Sequence, residues 1–301
     1  MAKQLTGVLG PVVTTFDSSG ALDVAAFRAN IRAHLASGLN GVVLTGSTGE
    51  GALVDDAERR ELIEAARALV PADKWLIVAT GAESTRQVLA RNADAQRLGA
   101  DAALVVSPHY YTPSMTTEAL RAHFTAVADG SQLPILLYNI PKYTHFAIAP
   151  ALVAELARHP NVHGMKDSSG DLALLEQYVA SQGDAFSVLT GSGQSLAEAL
   201  ALGARGGILG VALFSGALAP QLFRAFMRGD RAEAARVQSL LVPMAREIVG
   251  GMGVPGVKRA LDRVGLAGGP VRSPLLPLDA SSSARLDVLL AEAGMSVAVH
   301  A

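Results

Sequence analysis

Short apolar runs alternate with helix-patterned stretches along this chain, and the alternation recurs eight times before residue 230. The runs are Gly7–Thr14, Gly41–Leu44, Trp75–Ala79, Ala102–Val106, Ile135–Tyr138, Val162–Met165, Ser187–Leu189 and Gly206–Leu209. They are rich in Val, Ile and Leu without strict apolar–polar alternation, as strands covered on both faces of a parallel sheet are. Between them, Phe27, Ile31 and Leu35 recur four apart, and Asp55 with Glu58 writes a capping box before "RRELIEAARAL". Eight strand–helix units at intervals of about 20 to 35 residues predict an α/β fold, the (β/α)8 or TIM barrel. An open doubly wound sheet is the alternative. It asks for a glycine-rich phosphate loop after the first strand, where "GPVVTTFDSSG" supplies none. After Gly229 the pattern is helical alone, over Arg231–Val249, Val254–Val264 and Ala284–Ala293. The expected organisation is a barrel over residues 1–230 that carries the site, and C-terminal helices over 231–301 packed on it.

A net charge of −2 leaves no basic footprint for nucleic acid or a polybasic membrane surface. Without cysteine the chain has no disulfide, zinc–thiolate site or thiol nucleophile. The opening "MAKQLTGVLGPVV" has no long apolar segment, and no uninterrupted run reaches the ~18 apolar residues of a span. A soluble, cytoplasmic protein is expected.

In a barrel, chemistry gathers where strands end at the C-terminal face. The sixth run is followed by Lys166, in "HGMKDSSGD", within a chain that has five lysines against 20 arginines. Lys166 could serve as an ion-pair partner of Asp167. It could instead be a Schiff-base lysine, since burial disfavours the ammonium form and frees a nucleophile that arginine never provides. Tyr138, closing the fifth run, can both donate and accept a proton, although an aromatic there can also simply pack. "GSTGE" after the second run offers Gly46 for a sharp turn, N–H groups for an anion and the hydroxyls of Ser47 and Thr48. The same sequence could be an ordinary turn into a helix, and no Gly-Lys-Ser/Thr follows to make it a Walker loop. No histidines cluster with a carboxylate as metal ligands would. His159 and His163 are four apart, but Pro160 stands between them.

In order and spacing, "GSTGE", "YNIP", "GMKDSSGD" and the C-terminal "VRSPLLPL" resemble the dihydrodipicolinate synthase/N-acetylneuraminate lyase family of class I aldolases, over roughly residues 7–292. The resemblance implies a homotetramer built as a dimer of dimers, and a reaction between a 2-oxo acid such as pyruvate and an aldehyde. It implies an imine on Lys166 with no other cofactor and no metal. Tyr138 matches the proton-transfer tyrosine, Ser47 and Thr48 the carboxylate-binding pair, and Gly191 and Ile208 backbone positions lining the site. Tyr110 of "PHYYTP" matches a relay tyrosine supplied by the neighbouring subunit, with Tyr111 a one-residue ambiguity.

One departure bears on substrate. The synthases carry an arginine five residues after the catalytic tyrosine, where this chain has Tyr143; Lys142 is adjacent, with its side chain expected to point elsewhere and without the bidentate fork. Ser47 also stands where the synthases have threonine. The reading favoured from sequence is therefore an aldolase for a 2-oxo-3-deoxy sugar acid or hydroxy-oxo acid. The alternatives are 4-hydroxy-tetrahydrodipicolinate (dihydrodipicolinate) synthase, a 2-oxo acid dehydratase using the same imine, and a barrel that binds without turnover.

Overall fold

The computed structural model describes residues 3–295; residues 1–2 and 296–301, the outer ends of the two expected segments, lie outside the described residues. Eight parallel strands close into a barrel in chain order: β1 Gly7–Pro11, β2 Gly41–Leu44, β3 Trp75–Ala79, β4 Ala102–Val106, β5 Ile135–Asn139, β6 Val162–Asp167, β7 Ser187–Thr190 and β8 Gly206–Ile208. β8 pairs back onto β1, so the fold is the expected (β/α)8 barrel. Two strand ends differ from expectation by more than one residue. β1 stops at Pro11 rather than Thr14, whose hydroxyl turns instead to donate to the Gly49 carbonyl at 2.7 Å. β6 runs on through Lys166 and Asp167, because the ladder is made by backbone groups and polar side chains do not interrupt it.

Two apolar layers follow from the alternation of each strand. Leu9, Val43, Ile77, Leu104, Leu136, Tyr138, Leu189 and Ile208 form a cluster within the barrel. Val8, Val42, Val78, Val105, Leu137 and Val188 point outward into the larger cluster shared with the helices. The helices are set by their own signals. Asp55 accepts from the N–H groups of Ala57 and Glu58, both at 2.8 Å, and Glu58 accepts back from the Asp55 N–H at 3.0 Å, completing the capping box. Phe27 and Ile31 are buried, and Leu35 packs partly exposed beside them.

The pairing of β5 with β6 contains an irregularity. Ile135 pairs with Val162, but the next residue, Leu136, pairs with Gly164, so His163 is an extra residue in β6. Val162 and Met165 both face outward, which strict alternation over three residues would forbid. The bulge inverts the phase of the strand. Beyond it, Tyr138 of the inner cluster pairs with Lys166, and the lysine is turned into the barrel.

Beyond the barrel, helix Arg231–Pro243 widens after Pro243 into a π-helical stretch, Met244–Met252, and continues as Gly253–Arg263. The expected break near residue 250 is therefore a change of helical pitch within one stretch. Proline removes one donor from the ladder where the widening begins. The last helix, Ala280–Glu292, starts earlier than expected because Asp279 caps it, accepting from the Ser282 N–H at 2.7 Å. Arg231–Arg263, at 33 residues, has the length and mean hydropathy to cross a bilayer, although polar residues interrupt its apolar runs as expected. Here its apolar residues, among them Val237, Leu241, Ile248, Val257 and Leu261, are buried in the outer core.

Candidate active site

A pocket of about 270 Å³ opens at the C-terminal ends of the strands. Lys166 and Tyr138 stand in its wall as neighbours on β6 and β5, both almost fully buried. The Lys166 Nζ lies 3.3 Å from the Tyr138 hydroxyl and 4.4 Å from the centre of its ring. Ser47 Oγ lies 3.4 Å from the same phenol oxygen, so Lys166, Tyr138 and Ser47 form one line of exchangeable protons. Thr48, Tyr143, Gly191 and Ile208 line the pocket as well.

Asp167 is not the partner of Lys166. Its carboxylate accepts from Asn139 Nδ2 at 2.7 Å, from Ser169 Oγ at 2.8 Å and from the Ser169 N–H at 3.1 Å. Burial pushes this carboxyl up, and the bonds from Asn139 and Ser169 pull against it. Asn139 also accepts from the Ile148 N–H at 3.0 Å, tying the outward side of this strand pair to the next element. Among the described residues, no carboxylate forms an ion pair with Lys166.

Gly191 follows β7, and its N–H donates to the Asp167 carbonyl at 2.5 Å. A Cβ at this position would sit 1.9 Å from Ser168 Oγ and 3.0 Å from Lys166 Cε, so a side chain has no room beside the amine. Tyr143 is about half exposed at the mouth, and burial against the wall pushes its phenol up, with Tyr138 adding to the effect.

Two expected residues stand apart. Gly46 is in the loop but does not face the pocket, and Tyr110 is 77% exposed in a single chain. Tyr110 stacks edge-on against Tyr111, with ring centres 5.0 Å apart, and Glu83 accepts from the backbone N–H groups of His109 and Tyr110. One expectation is corrected. Lys142 does not point elsewhere: it lines the same mouth and donates to the Gly250 carbonyl at 2.8 Å. Pro141–Thr144 is a single helical turn, which brings both Lys142 and Tyr143 to the rim.

Ser168, Ser169, Ser192 and Gln194 also line the pocket, and the sequence reading passes over them. Their signal is position alone, directly behind β6 and β7. The wall contributed by Ala245, Val249, Gly250 and Val257 comes from the C-terminal helical stretch, which strand-end reasoning cannot reach. His159 bonds Asp129 and His163 bonds the Pro160 carbonyl, so the two do not converge. No group of three or more His, Cys, Asp or Glu side chains placed to hold a metal ion occurs among the described residues.

The model of the dihydrodipicolinate synthetase family matches residues 4–293. Relatives named 4-hydroxy-tetrahydrodipicolinate synthase align over nearly the whole chain. One, from Exiguobacterium sibiricum, is 36% identical and covers 91% of this chain and 93% of its own length. Among solved structures, an Escherichia coli K12 prophage protein of the dihydrodipicolinic acid synthase family, in complex with pyruvate, superposes with a TM-score of 0.91. It is 29% identical, and the match covers 97% of this chain and 99% of that one. A monomeric dihydrodipicolinate synthase variant has the same TM-score of 0.91 at 28% identity, covering 97% and 98%.

Proposed function

This chain belongs to the dihydrodipicolinate synthetase family, whose members are carbon–carbon lyases, and from that premise we propose that it joins pyruvate to an aldehyde, or splits the product, through an imine on Lys166. The observation that carries this reading is the buried amine of Lys166 lying 3.3 Å from the Tyr138 hydroxyl at the wall of a pocket. In the proposed sequence, the oxo acid's carboxylate docks against Ser47 and Thr48. Neutral Lys166 Nζ attacks the ketone carbon, Tyr138 protonates the carbinol oxygen, and water leaves as the imine forms. Loss of a methyl proton gives an enamine, whose carbon forms the new bond to the aldehyde. Hydrolysis then returns the amine, and cleavage runs the same steps backwards. The protonated imine is the electron sink, so the scheme calls for no metal or organic cofactor.

Gly191 and Ile208 shape the wall beside the imine, and Gly46 serves by letting the loop turn. We assign Tyr110 to the neighbouring copy's pocket, in a homotetramer built as a dimer of dimers. Its exposure supports this, since an aromatic ring 77% exposed in one chain is available to another. The protein is proposed to work in the cytoplasm.

For the acceptor, the relatives' shared name puts synthesis of 4-hydroxy-tetrahydrodipicolinate from aspartate semialdehyde first, ahead of the sugar-acid reading favoured from sequence. A second reading is kept for one observation. The pocket offers Ser168, Ser169, Ser192 and Gln194 as neutral polar groups; among the described residues its lining contains no arginine to take a second carboxylate, and Lys142 at the mouth is engaged with the Gly250 carbonyl. A hydroxylated aldehyde suits that lining. Borohydride reduction in the presence of pyruvate should add a stable mass to the peptide holding Lys166; an unmodified Lys166 would exclude the imine. Product masses from aspartate semialdehyde, glyoxylate and glyceraldehyde then choose the acceptor.

A further inference from the structure

The loop after β2, Thr45–Gly51, presents Ser47 and Thr48 to the pocket. It holds two non-glycine residues in left-handed backbone, Thr45 at φ 51° and Glu50 at φ 53°, a conformation that costs energy in any residue with a Cβ. The loop is drawn so tight that a Cβ on Gly51 would lie 1.9 Å from the Thr45 carbonyl oxygen. Such a loop keeps its shape only if its surroundings over-determine it.

The surroundings that do so come from the far end of the chain. The Glu50 side chain turns away from the pocket and is fully buried. Its Oε1 lies 2.5 Å from Lys258 Nζ, and the lysine side chain is 2% exposed. Its Oε2 accepts from the Arg272 backbone N–H at 2.8 Å. Lys258 Nζ also donates to the Pro270 carbonyl at 2.7 Å and lies 4.5 Å from the centre of the Phe16 ring. The Arg272 guanidinium donates to the Leu53 carbonyl at 2.7 Å, to the Gly20 carbonyl at 2.6 Å and to both carboxylate oxygens of Glu58 at 2.6 and 2.7 Å. Lys258 and Arg272 therefore grip the loop from within at Glu50 and from behind at Leu53 and Glu58. A buried ion pair is a poor device for stability alone, because apolar residues of similar volume commonly do as well. What it supplies is one fixed geometry.

We infer that Glu50 is a positioning residue. Held by Lys258 and Arg272, it fixes the backbone that aims Ser47 and Thr48 at the carboxylate of the oxo acid, so these two residues set affinity for that substrate without lining its pocket. This rests on the reading of the pocket as a pyruvate site. Loosening Glu50 should weaken the docking of pyruvate more than the chemistry at Lys166, which is held by different strands.

The test is the rate of borohydride trapping at Lys166 as a function of pyruvate concentration, in the full chain and in Glu50→Gln. That substitution keeps the shape of the side chain but removes the charge that balances the Lys258 ammonium. The expected result is a half-saturating pyruvate concentration at least about fivefold higher, with the saturated rate within about threefold of wild type. Lys258→Met should move half-saturation in the same direction. A merely structural pair would lower the melting midpoint and leave half-saturation unchanged. That outcome, or a fall in the saturated rate alone, overturns the inference. If Glu50→Gln does not fold, the Glu50→Gln/Lys258→Met pair, neutral on both sides, carries the same comparison. Failure of the wild-type chain to trap pyruvate at all would overturn the pyruvate reading itself, and is distinct from trapping with unchanged half-saturation.

Discussion

Tyr138 and Lys166 occupy paired positions on adjacent parallel strands, with the phenol oxygen 3.3 Å from the amine. Neither side chain needs a loop to bring it there, so the pair rests on the hydrogen-bonded ladder of the barrel itself. Lys166→Met should abolish borohydride trapping with pyruvate and lower turnover at least about a thousandfold, while the barrel still folds. Tyr138→Phe should keep Lys166 trappable but slow imine formation about 10²- to 10⁴-fold, the range expected when a proton shuttle is removed. Intact-protein mass after timed reduction measures both.

Gly191→Ala tests how closely the wall fits the amine. The added methyl would meet Ser168 Oγ and Lys166 Cε, so one of them must shift. Trapping should slow about tenfold or more, since small misplacements of a reacting group are costly. The melting midpoint should fall by only a few degrees. An unchanged trapping rate would show that Lys166 is not confined by Gly191.

Tyr143→Arg bears on the acceptor. Placed at the rim, an arginine could bind a carboxylate through two parallel bonds. If the natural acceptor is an uncharged hydroxy aldehyde, the variant should lower the half-saturating concentration of aspartate semialdehyde about tenfold and weaken binding of glyceraldehyde. Initial rates with each aldehyde give the answer. Loss of aspartate semialdehyde turnover instead would mean that Tyr143 already serves that substrate.

The shared-site proposal predicts complementation. A Lys166→Met chain keeps Tyr110, and a Tyr110→Ala chain keeps Lys166. Co-expressed, the two should regain about a quarter of wild-type activity, because half the random pairs are mixed and each mixed pair has one complete site. No recovery in a species shown to be mixed would place Tyr110 outside the reaction.

Stability should depend on pH through two buried histidines. Burial pushes both His34 and His123 down from 6.5 to about 4, with Glu83 pulling His123 partly back. The folded protein therefore holds them neutral while the unfolded chain takes up protons below pH 6.5. Their contribution is fully present above pH 6.5 and is lost as pH falls from 6.5 towards 4, at up to about 1.4 kcal/mol per pH unit for each histidine. Melting curves at pH 7 and pH 5 should differ less in His34→Leu than in wild type. An equal difference would mean that His34 does not contribute.

The barrel is legible in the sequence because eight apolar runs and their helices repeat one local rule, which tertiary contacts only reinforce. Lys166, Tyr138, Ser47 and Gly191 are legible because each ends or follows a strand, where the fold puts its chemistry. Lys142 is misread because neighbours in extended chain point apart, whereas a single helical turn presents both it and Tyr143 to the rim. The wall from Ala245 to Val257 is hidden for another reason: it reaches the pocket through a change of helical pitch, and no residue there carries chemistry of its own. Glu50 reads as part of a loop motif, and its partners Lys258 and Arg272 lie more than 200 positions away in the sequence.

The surplus residue at His163 is absorbed wholly by the bulge, so the face that Lys166 presents depends on pairing rather than on counting. A chain lacking that one position would pair Val162, Gly164, Met165 and Lys166 with Ile135, Leu136, Leu137 and Tyr138 without a shift, and its lysine would still face the pocket. An alignment would record one gap in a well-matched strand, and the proposed nucleophile would keep its place. The partnership of position 166 with Tyr138, rather than the length of β6, is what a search among relatives or a redesign of this barrel has to preserve.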